Sequence, residues 1–288
     1  MFTPFSFVKN KAVGGGPGPD PYPLTTAFLA ATGISDATIT SALQGLEADL
    51  TTYSLGSKMV ALYPMVGGTS DTTKYNFMDT SLYTITWSGT LVFASTGVNK
   101  TIANFTSAYG ICSGLNPNAV LTVNGTHLSY YSRTQITGIQ IDAQGGQLYP
   151  VEIGTGWGGN RFELEVCSGP DSAFWSRQYS EGANMIKNNG QTTTTGFYIS
   201  TRTSSTDFRT FRNSSQIGSV NSATQSDTFS GATGNICILG ESNSSSVGAG
   251  GTVRECAFAS IGSGLSPTDA SNLYTIVQAF QTTLGRQV

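Results

Sequence analysis

The chain has 288 residues and a formal net charge of −3, and only 11 % of it is Asp, Glu, Lys or Arg, against about 25 % in an ordinary domain. Aromatic residues make up 10 % of it, so it can bury a core and is not the charged, apolar-poor kind of chain that stays disordered. Its 14 cations form no stripe that could neutralise phosphates, and no apolar run nears the roughly 20 residues of a membrane helix; a nucleic-acid binder and a helical membrane protein are excluded.

Residues 1–23 end in VGGGPGPDPYP, where four prolines and four glycines forbid regular structure. The segment reads as an extended arm and linker that docks on a neighbouring protein. Its cations follow its first apolar stretch, the reverse of a secretory signal, so synthesis in a cytoplasm is expected.

Residues 24–63 read as helical. LTTAFLAATG makes a short helix closed by Gly33, and Ser35 and Asp36 offer an N-cap for a second, SDATITSALQGLEADLTTY. Its apolar positions Ile39, Leu43, Leu46, Leu50 and Tyr53 form a narrow heptad seam, the pattern by which helices pair. The seam either packs on the chain's own β domain or associates with sister subunits, which makes Ile39, Leu43, Leu46 and Leu50 candidate oligomerisation residues. SKMVALY reads as a third short helix running into Pro64.

From residue 64 to about 262, short alternating or apolar runs (LYTITWSG, HLSYYSRT, RFELEV, GFYISTRT, NICILG, VRECAFASI) are separated by Gly, Asn, Ser and Thr clusters. With no helices between them they imply an antiparallel jelly-roll sandwich, and bulky residues at alternate positions of HLSYYSRT and GFYISTRT suit strands with one buried face. Ser and Thr total 73, so the solvated faces are hydroxyl-rich. Ser266, Pro267 and Asp269 then open a C-terminal helix over 267–284, whose single stripe (Ala270, Leu273, Tyr274, Val277, Phe280, Leu284) faces the sandwich, and Gly285 stops it.

The runs HLSYYSRT, GFYISTRT, FRNSSQIGS and NICILGE, with the closing residues Leu265, Ser266, Leu273 and Tyr274, resemble the strand order of laminin-G-like, concanavalin A-like domains. A closer resemblance covers nearly the whole chain. The block LYPMVGGTSDTTKYN (Leu62–Asn76), paired with the tail ECAFASIGSGLSPTDASNLYTIVQAFQTTLGR, is similar to a group of virion proteins from bacteriophages of Bacteroidetes hosts. The resemblance implies a phage virion structural protein, such as a head or tail fibre, appendage or decoration component, displaying a lectin-like domain. It implies attachment to other virion proteins through the arm and a homo-oligomer, with a trimer expected of an appendage. Many laminin-G-like domains bind calcium through clustered acids. Here Asp142, Asp171, Asp207 and Asp227 are isolated, so no metal and no cofactor is expected.

Chemistry is sparse. Glu163 and Glu165 in RFELEV point to one face of a strand, as the paired carboxylates of a glycosidase do, but no third acid follows; the alternative is a solvent-facing strand with Arg161 as partner. His127 has neither a GxSxG nucleophile nor a nearby cysteine, so it reads as a satisfied structural histidine. Cys112, Cys167, Cys237 and Cys256 sit in apolar strands and read as buried free thiols. VGGTSDTTK lacks the pattern of a phosphate loop. For glycan binding the candidates are Tyr149, Trp157 and Asn160 in a Gly-rich stretch, and Trp175, since sugars stack on aromatic faces and bond to amides. The reading is a non-enzymatic virion component, with a host-glycan-binding adhesin as the alternative and a polysaccharide-cleaving enzyme behind both.

Overall fold

The computed structural model describes residues 19–100, 108–136, 140–141, 147–148, 150–156, 161–168, 172–179, 185–224, 234–242, 247–249 and 251–288. Most of residues 1–23, expected to form the arm, lie outside them. Strands dominate and form two antiparallel sheets. Sheet A runs in the order β15 (Ser215–Gln216), β14 (Asp207–Arg212), β13 (Gly196–Ser204), β6 (Thr126–Ser132), β19 (Cys256–Gly262), β4 (Gly97–Asn99) and β3 (Val92–Ala94), and β1 (Met59–Tyr63) also pairs with β19. Sheet B runs β12 (Ile186–Asn188), β11 (Ala173–Gln178), β10 (Phe162–Ser168), β9 (Ile153–Thr155), β16 (Cys237–Ile238), β5 (Ala108–Cys112) and β2 (Ile85–Gly89). Two short hairpins, β7 (Gln140–Ile141) with β8 (Gln147–Leu148) and β17 (Glu241–Ser242) with β18 (Val247–Ala249), complete the strands.

The sheets face each other across one apolar core, with Tyr63, Leu128, Tyr130, Tyr198 and Ile261 from sheet A against Ile153, Phe162, Leu164, Val166, Phe174 and Ile238 from sheet B. This is the jelly-roll sandwich that the strand spacing implied. A second core covers the other face of sheet A, where Tyr131, Phe197, Phe211 and Phe258 meet helices α1 (Pro23–Thr32), α2 (Ala37–Thr52) and α5 (Pro267–Thr283). Sheet A is therefore the middle of three layers. Its strands β6 and β13 are buried on both faces rather than one, which corrects the one-sided reading of HLSYYSRT and GFYISTRT.

The helix signals held their positions. Gly33 ends α1 at φ 68°, the Asp36 side chain accepts from the Ile39 amide to cap α2, and Ser266 and Asp269 form a reciprocal capping box on α5. SKMVALY is a correction: Gly56–Lys58 form one 3-10 turn and Met59–Tyr63 form β1, because pairing with Ala259–Gly262 of β19 outweighs the helical preference of so short a run.

The structure takes the first of the two readings of the seam. Leu43, Leu46 and Leu50 are buried in the chain's own core against Leu273, Ile276, Val277 and Phe280 of α5 and the aromatics of sheet A, and half-buried Ile39 packs on the same cluster. Burying each leucine contributes roughly 2 kcal/mol. Leu43, Leu46 and Leu50 are thus covered within one chain, while Tyr53 at the end of the stripe is exposed.

The Leu62–Asn76 block is a wrap around the edge of this core. Gly67 and Gly68 take φ of 86° and 68°, and a Cβ on Gly67 would lie 2.5 Å from Thr72. Thr69 then caps the one-turn helix α3 (Ser70–Thr73) by a capping box with Thr72. The Asn76 amide oxygen accepts from the Leu62 and Met78 amides at 3.0 Å each. One further turn, α4 (Pro117–Val120), follows β5. Among the described residues no helix is long and apolar enough to cross a membrane.

Candidate functional site

Helices cover the outer face of sheet A, so the outer face of sheet B and the edges where the sheets meet carry the polar chemistry. On β10, Glu163 and Glu165 alternate with core residues Phe162, Leu164 and Val166 and point outward. They are not solvent-facing, which corrects the alternative given above: their exposures are 0 % and 1 %. Arg177 of β11 binds both carboxylates, Glu165 at 2.6 Å, while Arg161 stands 3.5 Å from Glu163. Glu241 completes the group. Three buried carboxylates against two guanidinium groups leave one negative charge in excess, and burial together with Glu241 and Glu152 pushes Glu165 up to about 8. Burial likewise pushes Glu241 to about 7.

This cluster makes stability depend on pH. The folded chain keeps a proton on Glu165 that the unfolded chain releases near the ordinary glutamate range, so stability declines as pH rises from there through about 8. His127, lowered to about 4 by burial, acts in the opposite sense and only below about pH 6.5. Between pH 6.5 and 8.5 Glu241 adds to the loss and Lys100, lowered to about 8 by burial, opposes it, so the expected net loss is about 2 kcal/mol, seen as a melting temperature lower by several degrees. Glu165→Gln is expected to flatten that slope; a wild-type melting temperature constant or rising over the interval contradicts the assignment.

Of the glycan-binding candidates, Tyr149, Trp157 and Asn160 lie outside the described residues. Trp175 is half-buried on β11, with the Arg177 guanidinium 4.7 Å and the Lys187 ammonium 4.9 Å from its ring centre. Lys187 is its cross-strand partner on β12, the edge of sheet B.

That edge opens into a cleft. Between β12 and the β14–β15 hairpin lie two adjoining hollows of about 580 and 420 Å³, which share Gly218. Lys187, Ser219, Asn221 and Ser222 line the first, and Asn188, Gln191, Arg212, Asn213 and Gln216 line the second. Local sequence builds the walls. Asn213 and Ser214 take φ of 47° and 66°, as a two-residue hairpin of the type I′ class requires, and the Asn213 side chain accepts from the Phe197 amide. Ile217 is buried in the inter-sheet core and exchanges bonds with Thr210, which pins the strand leaving the hairpin. Asn221 pairs with Phe208 through both backbone bonds and donates its side-chain amide to the Met185 carbonyl, tying the two walls together.

Sequence reasoning matched FRNSSQIGS to the laminin-G-like strand order but named none of these lining residues. The available signal was the stretch 209–224, which holds two arginines, several amides and hydroxyls, and no acid.

His127 donates from Nδ1 to the Ser263 carbonyl at 2.6 Å, bonds the Ser260 hydroxyl through Nε2 at 3.1 Å and is fully buried, so it is a structural residue. All four cysteines are buried and free. Among the described residues no group of His, Cys, Asp and Glu is arranged to hold a metal ion.

Two antiparallel sheets with helices on one outer face define a jelly-roll β-sandwich. No family model matches the chain, and no curated protein matches it. Solved structures match in fold. Botulinum neurotoxin type C, whose passage into cells depends on interaction with two ganglioside molecules, is 8 % identical with a TM-score of 0.50, over 79 % of this chain and 53 % of that one. A Trypanosoma rangeli sialidase mutant with trans-sialidase activity is 8 % identical with a TM-score of 0.48, over 83 % of this chain and 39 % of that one. The binding domain of botulinum neurotoxin DC, in complex with rat synaptotagmin II, is 8 % identical with a TM-score of 0.47, over 77 % and 52 %. The chain thus spans about half, or less, of the length of these structures, and the likeness is one of fold.

Proposed function

We propose that the chain is a component of a bacteriophage virion, on head or tail, displaying a lectin-like sandwich that grips a host-surface saccharide and performs no reaction. The observation that carries the saccharide reading is the open cleft between the sheet edges. It has the size of a small-ligand site, and amides and hydroxyls that suit sugar hydroxyls line it from β12, β15 and the loops beside them. The virion reading rests on the resemblance of Leu62–Asn76 and the C-terminal tail to phage proteins. What supports treating them as one unit is that β1 of the first pairs with β19 of the second, and that Arg286 of the tail binds the Pro64 and Met65 carbonyls.

The inert reading draws support from Glu163 and Glu165. A glycosidase needs an acid and a nucleophile or base flanking an accessible sugar bond, whereas these two are buried and clamped by one guanidinium.

The test is retention of the purified chain on an array of bacterial surface saccharides, with Ser219→Phe as a variant that plugs the cleft from an exposed position, alongside antibody labelling of purified particles. Binding by the wild type, its loss in Ser219→Phe and labelled particles are expected. Saccharide binding unaffected by the plug, or no binding at all, overturns the cleft assignment, and particles lacking the chain overturn the virion assignment.

A further inference from the structure

The cleft carries a charge pattern opposite to that of the chain around it. The whole sequence holds 17 acidic residues against 14 Lys and Arg. Among the described residues the lining of both hollows contains no Asp or Glu and two cations, Lys187 and Arg212.

The two arginines of β14 show what is unusual. Arg209 is spent on Asp207, Nε to carboxylate at 2.6 Å. Arg212, half-buried at the end of the same strand, donates its Nε to the Thr195 carbonyl at 3.1 Å and forms no ion pair with any described residue. That bond anchors the guanidinium plane at the cleft wall, and among the described residues nothing binds the terminal Nη groups. A planar fork held in place is a preorganised receptor for a carboxylate or sulfate, which it binds through two parallel bonds. Lys187, exposed on β12 and set against the Trp175 ring, is the cation lining the adjoining hollow. The polar residues between them, Asn188, Gln191 and Gln216, have the donors and acceptors that ring hydroxyls need.

We infer that the cleft is selective for an anionic saccharide, a polyhydroxylated ring bearing a carboxylate or sulfate, whose acid group is held by Arg212. The inference rests on the saccharide-binding reading of the cleft proposed above and narrows its ligand class.

The experiment compares three sets of immobilised oligosaccharides matched in length: neutral hexose oligomers, oligomers containing uronic or sialic acid, and sulfated hexose oligomers. The wild-type chain is measured beside Arg212→Gln, Arg212→Lys and Lys187→Gln, each with its melting temperature recorded. Binding confined to one or both acidic sets is expected, weakening as salt is raised. Loss of about tenfold to hundredfold in Arg212→Gln, the range for a charge-assisted hydrogen bond, should be partly restored by Arg212→Lys. Which acidic set binds identifies the anion as carboxylate or sulfate. Equal or better binding of the neutral set overturns the inference while leaving the saccharide reading intact. Binding to none of the sets removes both. If Arg212→Gln fails to fold, the decision falls to exposed Lys187→Gln and the salt dependence, and acid-selective binding indifferent to both overturns the role of the cationic walls.

Discussion

Replacing Arg286 with alanine is expected to cost the fold about 4 kcal/mol or more, although the residue lies two positions from the end of the sequence. Its guanidinium is 2 % exposed and fills its donors with the carbonyls of Pro64, Met65, Ser95 and Ala257 and the side-chain oxygen of Gln281. These acceptors belong to the wrap after β1, the β3–β4 turn, β19 and α5, so one side chain joins four separate stretches of chain. Met65 takes φ 48°, an uncommon backbone state for a side-chain-bearing residue, and its carbonyl is one of those held. Alanine leaves several buried carbonyls without a donor, and each such orphan costs about 1–3 kcal/mol. Arg286→Lys, which can satisfy only part of the set from a point charge, is expected to fall between. Urea unfolding of the three chains checks this; a loss below about 1 kcal/mol in Arg286→Ala would show that water replaces the guanidinium.

The second large effect concerns Glu152 and Arg254, a fully buried ion pair that stitches the two sheets together. Arg254, just before β19, reaches across to Glu152 at 2.7 Å and to the Cys167 and Ile136 carbonyls. Glu152 accepts from the Val166 amide on β10 with its other oxygen. Arg254→Met strands a carboxylate whose pKa burial already raises, and the expected loss is about 3–5 kcal/mol. The double variant Glu152→Leu with Arg254→Met removes both charges and is expected to recover much of that loss, because the desolvation of the two ions offsets most of their attraction. Denaturant midpoints of the wild type, the single variant and the double variant form the test. A double variant as unstable as the single one would mean the pair supplies more than it costs.

Legibility in the sequence followed the range of the interaction that decided each feature. Caps are local, and Asp36, Ser266 with Asp269, and Gly33 were readable because a side chain and the amide it serves lie within a few residues. Strands announced themselves by β-branched and aromatic runs between Gly, Asn and Ser clusters. MVALY was misread as helix since five apolar residues carry no distinguishing period; only its partner on β19 makes it a strand. The α2 stripe was readable as a stripe, but nothing in it says whether α5 or a second copy lies against it. Trp175, singled out in the sequence, stands beside Lys187 but does not line either hollow of the cleft. Lys187, Arg212, Gln216 and Asn221 were missed because they are common polar residues whose meaning comes from two edges meeting.

The sequence by itself indicated the fold class: its turn spacing points to an antiparallel β-sandwich, and its last 23 residues to a capped, one-sided helix that closes it. Tertiary structure decided the rest. Whether Glu163 and Glu165 meet solvent or Arg177, whether the leucine seam is inward or outward, and that Arg212 and Lys187 line hollows with no acid among their described lining residues all depend on which distant strands become neighbours. Burial, and with it the sign and strength of every charge interaction, is a property of those neighbours rather than of the residue.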